Sequence, residues 1–375
     1  MDIKTILKTS VAAGALFAFA APVSDAEAGN ITNANSKATV SIGGRIHRAL
    51  ASIDDGVHDE FFNTDGTTGD SEMWLSGSGA LTESITVKAT LRWDIAKNEA
   101  TCNFGSTTGE SACADAGNAD KYENIAFVHK SMGTLTLGDV EPGADGTMDA
   151  RYVSAMFNDG AAAARATNIT SGTGTFQGAI SDHHAKIDPG SSANKIRWDS
   201  PSFNGLTIGA DYRQDGGGSV GVKYAGKMGG MDFKAGAGYD NENNTALVGG
   251  HIALKHASGF NIAYNYGKKH ARDASDGGAG ASGAADDPSW WRLIGGYQAT
   301  MNSFGQTDIH LEYAESDTHA QDGNEAEVIR IGITQSLDSI GAKMGLDYAR
   351  IEFSDAAATD FNDIDAVVFE TTFNF

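Results

Sequence analysis

The sequence predicts an all-β fold: a transmembrane antiparallel β-barrel of about sixteen strands. Three observations predict it. Apolar and polar residues alternate with period two along most of the chain. The connections between these segments are short and long in turn. Beyond the N-terminal segment, no uncharged apolar stretch reaches the ~18 residues a membrane helix needs.

The bulk numbers frame these patterns. The 375 residues include 47 Gly, 5 Pro and 41% hydrophobic residues, a folded composition. A formal net charge of −22 argues against nucleic acid, which needs a basic footprint. At the N-terminus Lys4 and Lys8 precede an apolar run over residues 11–21, and Ala26-Glu27-Ala28 offers a small-x-small cleavage site. This reads as a signal peptide over 1–28, leaving a single barrel domain over 29–375.

The alternation is clearest in residues 85–95. There Ile85, Val87, Ala89, Leu91, Trp93 and Ile95 alternate with Thr86, Lys88, Thr90, Arg92 and Asp94. A strand sends these sets to opposite faces, whereas a helix would smear the charges around its girth. The first strand sets Val40, Ile42 and Ile46 against Ser41, Arg45 and His47; Arg48 breaks its pattern and is expected outside the hydrocarbon band or in a subunit contact. The rule recurs in Leu206, Ile208 and Tyr212, in Phe233 and Tyr239, in Phe260, Ile262 and Tyr264, in Ile309 and Leu311, in Ile329, Ile331 and Ile333, and in Val367, Phe369 and Phe373. Weaker segments at 71–80, 120–130, 133–138, 194–200, 219–227, 245–255, 290–299 and 342–353 fill the gaps. Short connections fall near 81–84, 132–133, 202–205, 228–229, 257–259, 302–305 and 337–341. Long ones fall near 54–70, 96–119, 139–193, 269–289, 315–325 and 354–363. Tight turns at one rim and long loops at the other are the arrangement of an outer-membrane barrel.

Cys102 and Cys113 share one Gly/Ser/Asp-rich loop. In an oxidising compartment they are a disulfide candidate, with two free thiols as the alternative. The pairs Asp54-Asp55 and Asp286-Asp287 are candidates for Ca²⁺, or for bridging lipopolysaccharide through divalent ions, although no EF-hand spacing is present. His183 and His184, beside Asp182, read more simply as solvated residues than as metal ligands. No motif demands a cofactor or a structural metal, and no zinc-protease helix motif occurs, so the reading is non-enzymatic.

Several segments resemble the general diffusion porins of Gram-negative bacteria, in particular the α-proteobacterial type. They are Gly43-Gly44-Arg45-Ile46-His47-Arg48-Ala49-Leu50, Gly133-Thr134-Leu135-Thr136-Leu137-Gly138, Arg197-Trp198-Asp199-Ser200-Pro201-Ser202-Phe203-Asn204-Gly205, Gly296-Tyr297-Gln298-Ala299 and the terminal Phe375. The resemblance implies a homotrimeric, water-filled channel for small hydrophilic solutes and ions in the outer membrane, among lipid and lipopolysaccharide. It also implies that Phe375 is the signal read by the barrel-assembly machinery, and that the third external loop, here 139–193, is a long constriction loop folded into the lumen. On that basis Asp139, Glu141, Asp145 and Asp149 are the candidate acidic side of a constriction, and Arg45, Lys88, Arg92 and Arg197 the basic wall. Where the family often has arginine after a serine at the start of its second strand, Ser71 is followed by Glu72. That replacement and the net charge imply mild cation selectivity; a substrate-selective channel with a binding site in the long loop is the alternative.

Overall fold

The computed structural model describes residues 31–32, 38–57, 59–66, 71–95, 102–103, 112–113, 119–155, 168–170, 176–179, 184, 186–189, 192–214, 216–242, 245–271, 287–317, 323–355, 357 and 360–375. One antiparallel sheet runs through it and closes on itself, because Arg45 to Asp54 of the first strand pair with Asn374 to Asp365 of the last. The barrel has 16 strands. They are β1 (Thr39–Asp54), β2 (Asp59–Asp65 and Glu72–Ala80), β3 (Ile85–Asp94), β4 (Ala119–His129), β5 (Gly133–Val140), β6 (Ala193–Asp199), β7 (Leu206–Arg213) and β8 (Gly218–Met228), followed by β9 (Met231–Glu242), β10 (Thr245–Lys255), β11 (Phe260–Ala271), β12 (Ser289–Asn302), β13 (Gly305–Asp317), β14 (Glu325–Leu337), β15 (Ala342–Ser354) and β16 (Ile364–Asn374). Closure satisfies the backbone of every strand without water, which is what hydrocarbon requires.

The two pieces of β2 correct the expectation of one long loop over 54–70. Asp59–Asp65 pairs with the second half of β1 and Glu72–Ala80 with the first half. Asp and Asn disfavour strands in isolation, but the ladder offered by β1 overrides that weak preference.

The two faces separate by polarity. Along β13, Leu311 is 58% exposed while its neighbour Glu312 is 1% exposed. On β14, Ile329, Ile331 and Ile333 are exposed around a buried Arg330 and Thr334. The exterior is greasy and the interior polar, the reverse of a soluble sandwich. Aromatic rings gather near both strand ends. Tyr264, Trp291 and Tyr313 associate across β11–β13 with centroids 6.1 and 5.2 Å apart. Toward the short-turn rim, Phe260 meets Tyr297 at 4.8 Å and Tyr224 meets Phe233 at 5.8 Å. Such rings suit the two bilayer interfaces.

The inner face is not polar throughout. Ala49, Ala51, Ile53, Val328, Ile351 and Val368 form a buried apolar cluster on β1 and β14–β16, with Phe353 and Phe361 packed against it.

Residues 1–28 lie outside the described residues. Cys102 and Cys113 face each other across a two-residue ladder, and their side chains are likewise outside the described set. Arg48 lies outside the lumen, bonded to Asn63 at 2.7 Å.

Candidate functional site

Among the described residues, the first part of the long connection between β5 and β6, residues 141–155, lies inside the barrel. It is laid against the inner wall by side chains from successive strands. Asp211 of β7 accepts the Gly143 amide at 2.7 Å, and Ser219 of β8 accepts the Ala144 amide at 2.9 Å. His251 of β10 contacts the Thr147 carbonyl at 2.8 Å, and Asn265 of β11 accepts the Ala150 amide at 2.8 Å. Asp308 of β13 accepts the Ser154 amide at 2.7 Å, and Lys343 of β15 reaches the Ser154 hydroxyl at 3.3 Å. One loop thus crosses the inner faces of β7 to β15.

The loop lies close because the wall carries glycine beneath it. A Cβ on Gly209 would stand 2.3 Å from the Gly143 carbonyl oxygen, one on Gly238 2.1 Å from Thr147 Oγ1, and one on Gly267 2.3 Å from the Ile187 carbonyl oxygen. Apolar contacts seal the loop between these points. Met148 and Ile187 pack on Leu247 and Trp290, and Val153 packs on Ala253, Ala263 and Ile294.

The acids predicted for the constriction have different fates. Asp139 is the correction: it belongs to β5, not to the loop. It sits opposite Asn194 on the outward side with Leu135 and Leu137, since strand residues two apart share a face. Glu141 begins the loop. It accepts a short hydrogen bond from Tyr122, and burial, reinforced by Asp145, pushes its carboxyl above the usual range. Asp145 is half-buried, and among the described residues no side chain hydrogen-bonds its carboxylate. Asp149 pairs with Arg292 of β12 and, at 3.2 Å, with Lys186. Burial opposes its ionisation, but these two cations outweigh it and hold the carboxyl well below the ordinary carboxylate range.

The basic set divides similarly. Arg45 and Arg92 clasp Glu72, the residue where the sequence departs from the family pattern; Glu72 is fully buried, 3.0 Å from Arg45 and in close contact with Arg92. Arg92 also lies 5.2 Å over the Tyr122 ring. A continuous chain therefore runs from Glu141 through Tyr122, Arg92 and Glu72 to Arg45. Lys88 shares the inward face of β3 with Arg92 and is exposed there. Arg197 is not open to solute. It grips Asp199 two residues on, through Nε at 2.9 Å and Nη2 at 2.9 Å, and donates to the Glu141 carbonyl at 3.0 Å, so it positions the start of the loop.

The surrounding motif also has a structural role. Trp198 donates to the Met132 carbonyl at 2.9 Å, and Ser200 accepts the Ile208 amide at 2.9 Å, joining two neighbouring turns. His184 bonds Ser316 at 2.8 Å. Phe375 extends the closing ladder: its amide donates to the Gly44 carbonyl at 3.0 Å, and the Gly44 amide donates to its carbonyl at 2.9 Å.

Sequence reasoning missed Tyr122, Asp211, Ser219, Arg292 and the wall glycines. The glycines had a signal, because glycine within a strand marks close approach of another backbone. Arg292 lay in a segment, 290–299, where Trp290 and Ile294 are apolar on the inner face too, so alternation was blurred.

A closed barrel with a greasy exterior, a charged interior and a loop laid across that interior defines a channel protein of the outer membrane. The sequence pattern of the Gram-negative porins matches residues 9–356. The chain belongs to the Gram-negative porin family. Solved structures agree in fold. OmpT of Vibrio cholerae, in a trimer form, is 10% identical with a TM-score of 0.57, covering 91% of this chain and 100% of its own. OmpF of Salmonella typhi is 15% identical with a TM-score of 0.55, covering 92% and 100%. The anion-selective porin of Comamonas acidovorans is 14% identical with a TM-score of 0.54, covering 90% and 100%. No functionally curated protein matches the chain.

Proposed function

We propose that this porin passes small hydrophilic solutes and ions by passive diffusion, with mild preference for cations and no enzymatic step. The observation that supports it is the inward set of charges, Arg45, Glu72, Lys88 and Arg92 on the wall facing Glu141 and Asp145 on the loop. Opposed charges across a narrow aqueous passage orient dipolar solutes and disfavour apolar ones. Glu72 offsets one of the two wall arginine charges, and the overall charge of −22 supports cations over anions. By analogy with the trimer form of the Vibrio OmpT, the working unit is a homotrimer.

We propose likewise that residues 1–28 are removed, that Cys102 and Cys113 form a disulfide, that the assembly machinery recognises Phe375, and that Ca²⁺ or lipopolysaccharide binds at the acidic loops. Planar-bilayer recording tests the main reading. Stepwise conductance in KCl with closure in three equal steps and a reversal potential favouring potassium agrees with it. A reversal potential favouring chloride removes the cation preference, and absence of conductance removes the channel.

A further inference from the structure

Tyr152 and Ser154 of the loop overhang a cavity of about 340 Å³ on the short-turn side of the lumen. Four lysines from separate strands line it: Lys227, Lys234, Lys255 and Lys343, against the acids Asp232 and Asp308. Lys227 and Asp232 satisfy each other at 2.5 Å near the rim. The other acid, Asp308, is engaged by the Ser154 amide and by Gln306 at 2.7 Å each. Three lysines are left converging beneath the loop. Lys234 stands 4.3 Å from the Tyr152 ring centre and donates to the Arg151 carbonyl at 3.0 Å. Lys255 stands 5.8 Å from the same ring. Lys343 reaches the Ser154 hydroxyl. Lys234, Lys255 and Lys343 are thus held directly by neutral partners, a carbonyl, an aromatic face and a hydroxyl; Asp232 and Asp308 act on Lys234 and Lys343 through space, and four lysines against two acids leave an excess of positive charge facing the cavity.

We propose that this cavity is a subsite for solutes bearing an oxyanion, a phosphate or carboxylate group, held by Lys234, Lys255 and Lys343 with the Ser154 hydroxyl as a further donor. Ammonium groups bind such oxygens as point charges without demanding one geometry, which suits a transit site that must release as well as bind. The site lies to one side of the loop, so an anion meets it first when entering from the short-turn rim. This deepens the channel reading and rests on it: a pore that favours small cations also retains one class of anion on one side of its constriction.

The test is single-channel conductance of the full protein with inorganic phosphate or acetate replacing chloride, added at either side. Current carried by phosphate from the short-turn side saturates at lower concentration than from the long-loop side. The double variant Lys255→Gln, Lys343→Gln raises the half-saturating concentration at least fivefold. Lys255→Arg with Lys343→Arg retains saturation. Lys130→Gln, which removes an exposed charge outside the cavity, leaves saturation unchanged. Saturation by acetate as well as phosphate assigns the site to oxyanions generally, and saturation by phosphate alone restricts it to phosphate. Linear phosphate currents in the wild type, or an equal loss in Lys130→Gln, overturn the subsite while leaving the channel intact. Absence of conductance in every salt overturns both.

Discussion

Arg292 of β12, without exposed side-chain surface, pairs with Asp149 of the lumen loop and so joins wall to loop. The same guanidinium lies 3.8 Å from Glu312 of β13, which Arg330 of β14 also engages. The loop is therefore latched into a network of wall charges spanning three strands.

Cutting that latch frees the loop without opening the barrel. Arg292→Met leaves the Asp149 and Glu312 carboxylates short of a cation, and breaking a buried pair from one side costs about 3–5 kcal/mol. The expected result is faster proteolysis within residues 141–192 and larger, noisier conductance, with the folded-barrel band on unheated gels retained.

Loop docking depends on pH through Asp188. Burial raises its carboxyl to about 6, against the pull of Lys186. The docked loop therefore holds a proton that the free loop releases, and docking weakens as pH rises through about 6. Asp149 acts oppositely: its carboxyl is depressed, so its contribution is complete above the ordinary carboxylate range and fades as pH falls below it. Docking is tightest in mildly acidic solution. Conductance measured from pH 5 to 7.5 rises with pH, and Asp188→Asn flattens that rise.

The glycine bed makes a steric prediction. Gly238→Val places a side chain where Thr147 Oγ1 now lies, 2.1 Å from the position of the Cβ, so the loop lifts and conductance increases. Gly295, on the same barrel but with nothing within 4 Å of its Cβ direction, is the contrast. Gly295→Ala leaves conductance as in the wild type.

Glu72 sets the charge of the wall. Glu72→Gln keeps its shape but leaves Arg45 and Arg92 without their shared counter-ion. The reversal potential then moves toward anions, and thermal unfolding shifts down, since two guanidinium groups face each other with less compensation. An unchanged reversal potential would show that this cluster does not govern ion preference.

Most of the wall was readable from the chain. Leu311 and Glu312 differ in face because successive side chains of a strand point to opposite sides of the sheet, and the sequence shows it wherever one face meets lipid and the other water. The loop between β5 and β6 was legible by length and its acids by composition. Asp139 was misread because the strand continues through Val140, a boundary that pairing with Asn194 decides. The segment 54–70 was misread because its strand exists only as a partner of β1. Where the loop presses on the wall, at Trp290, Ile294 and Ala253, the inner face is apolar and the period-two signal faded.

The order of strands, their two faces and the rim to which each connection belongs followed from the sequence alone, because lipid imposes one rule on every strand. Which charges meet did not. Asp149 with Arg292, 143 residues apart, and the lysines beneath Tyr152 become neighbours only once the sheet closes and the loop folds inward. Coulomb interactions depend on distance in space, and the chain specifies that distance only through the finished barrel.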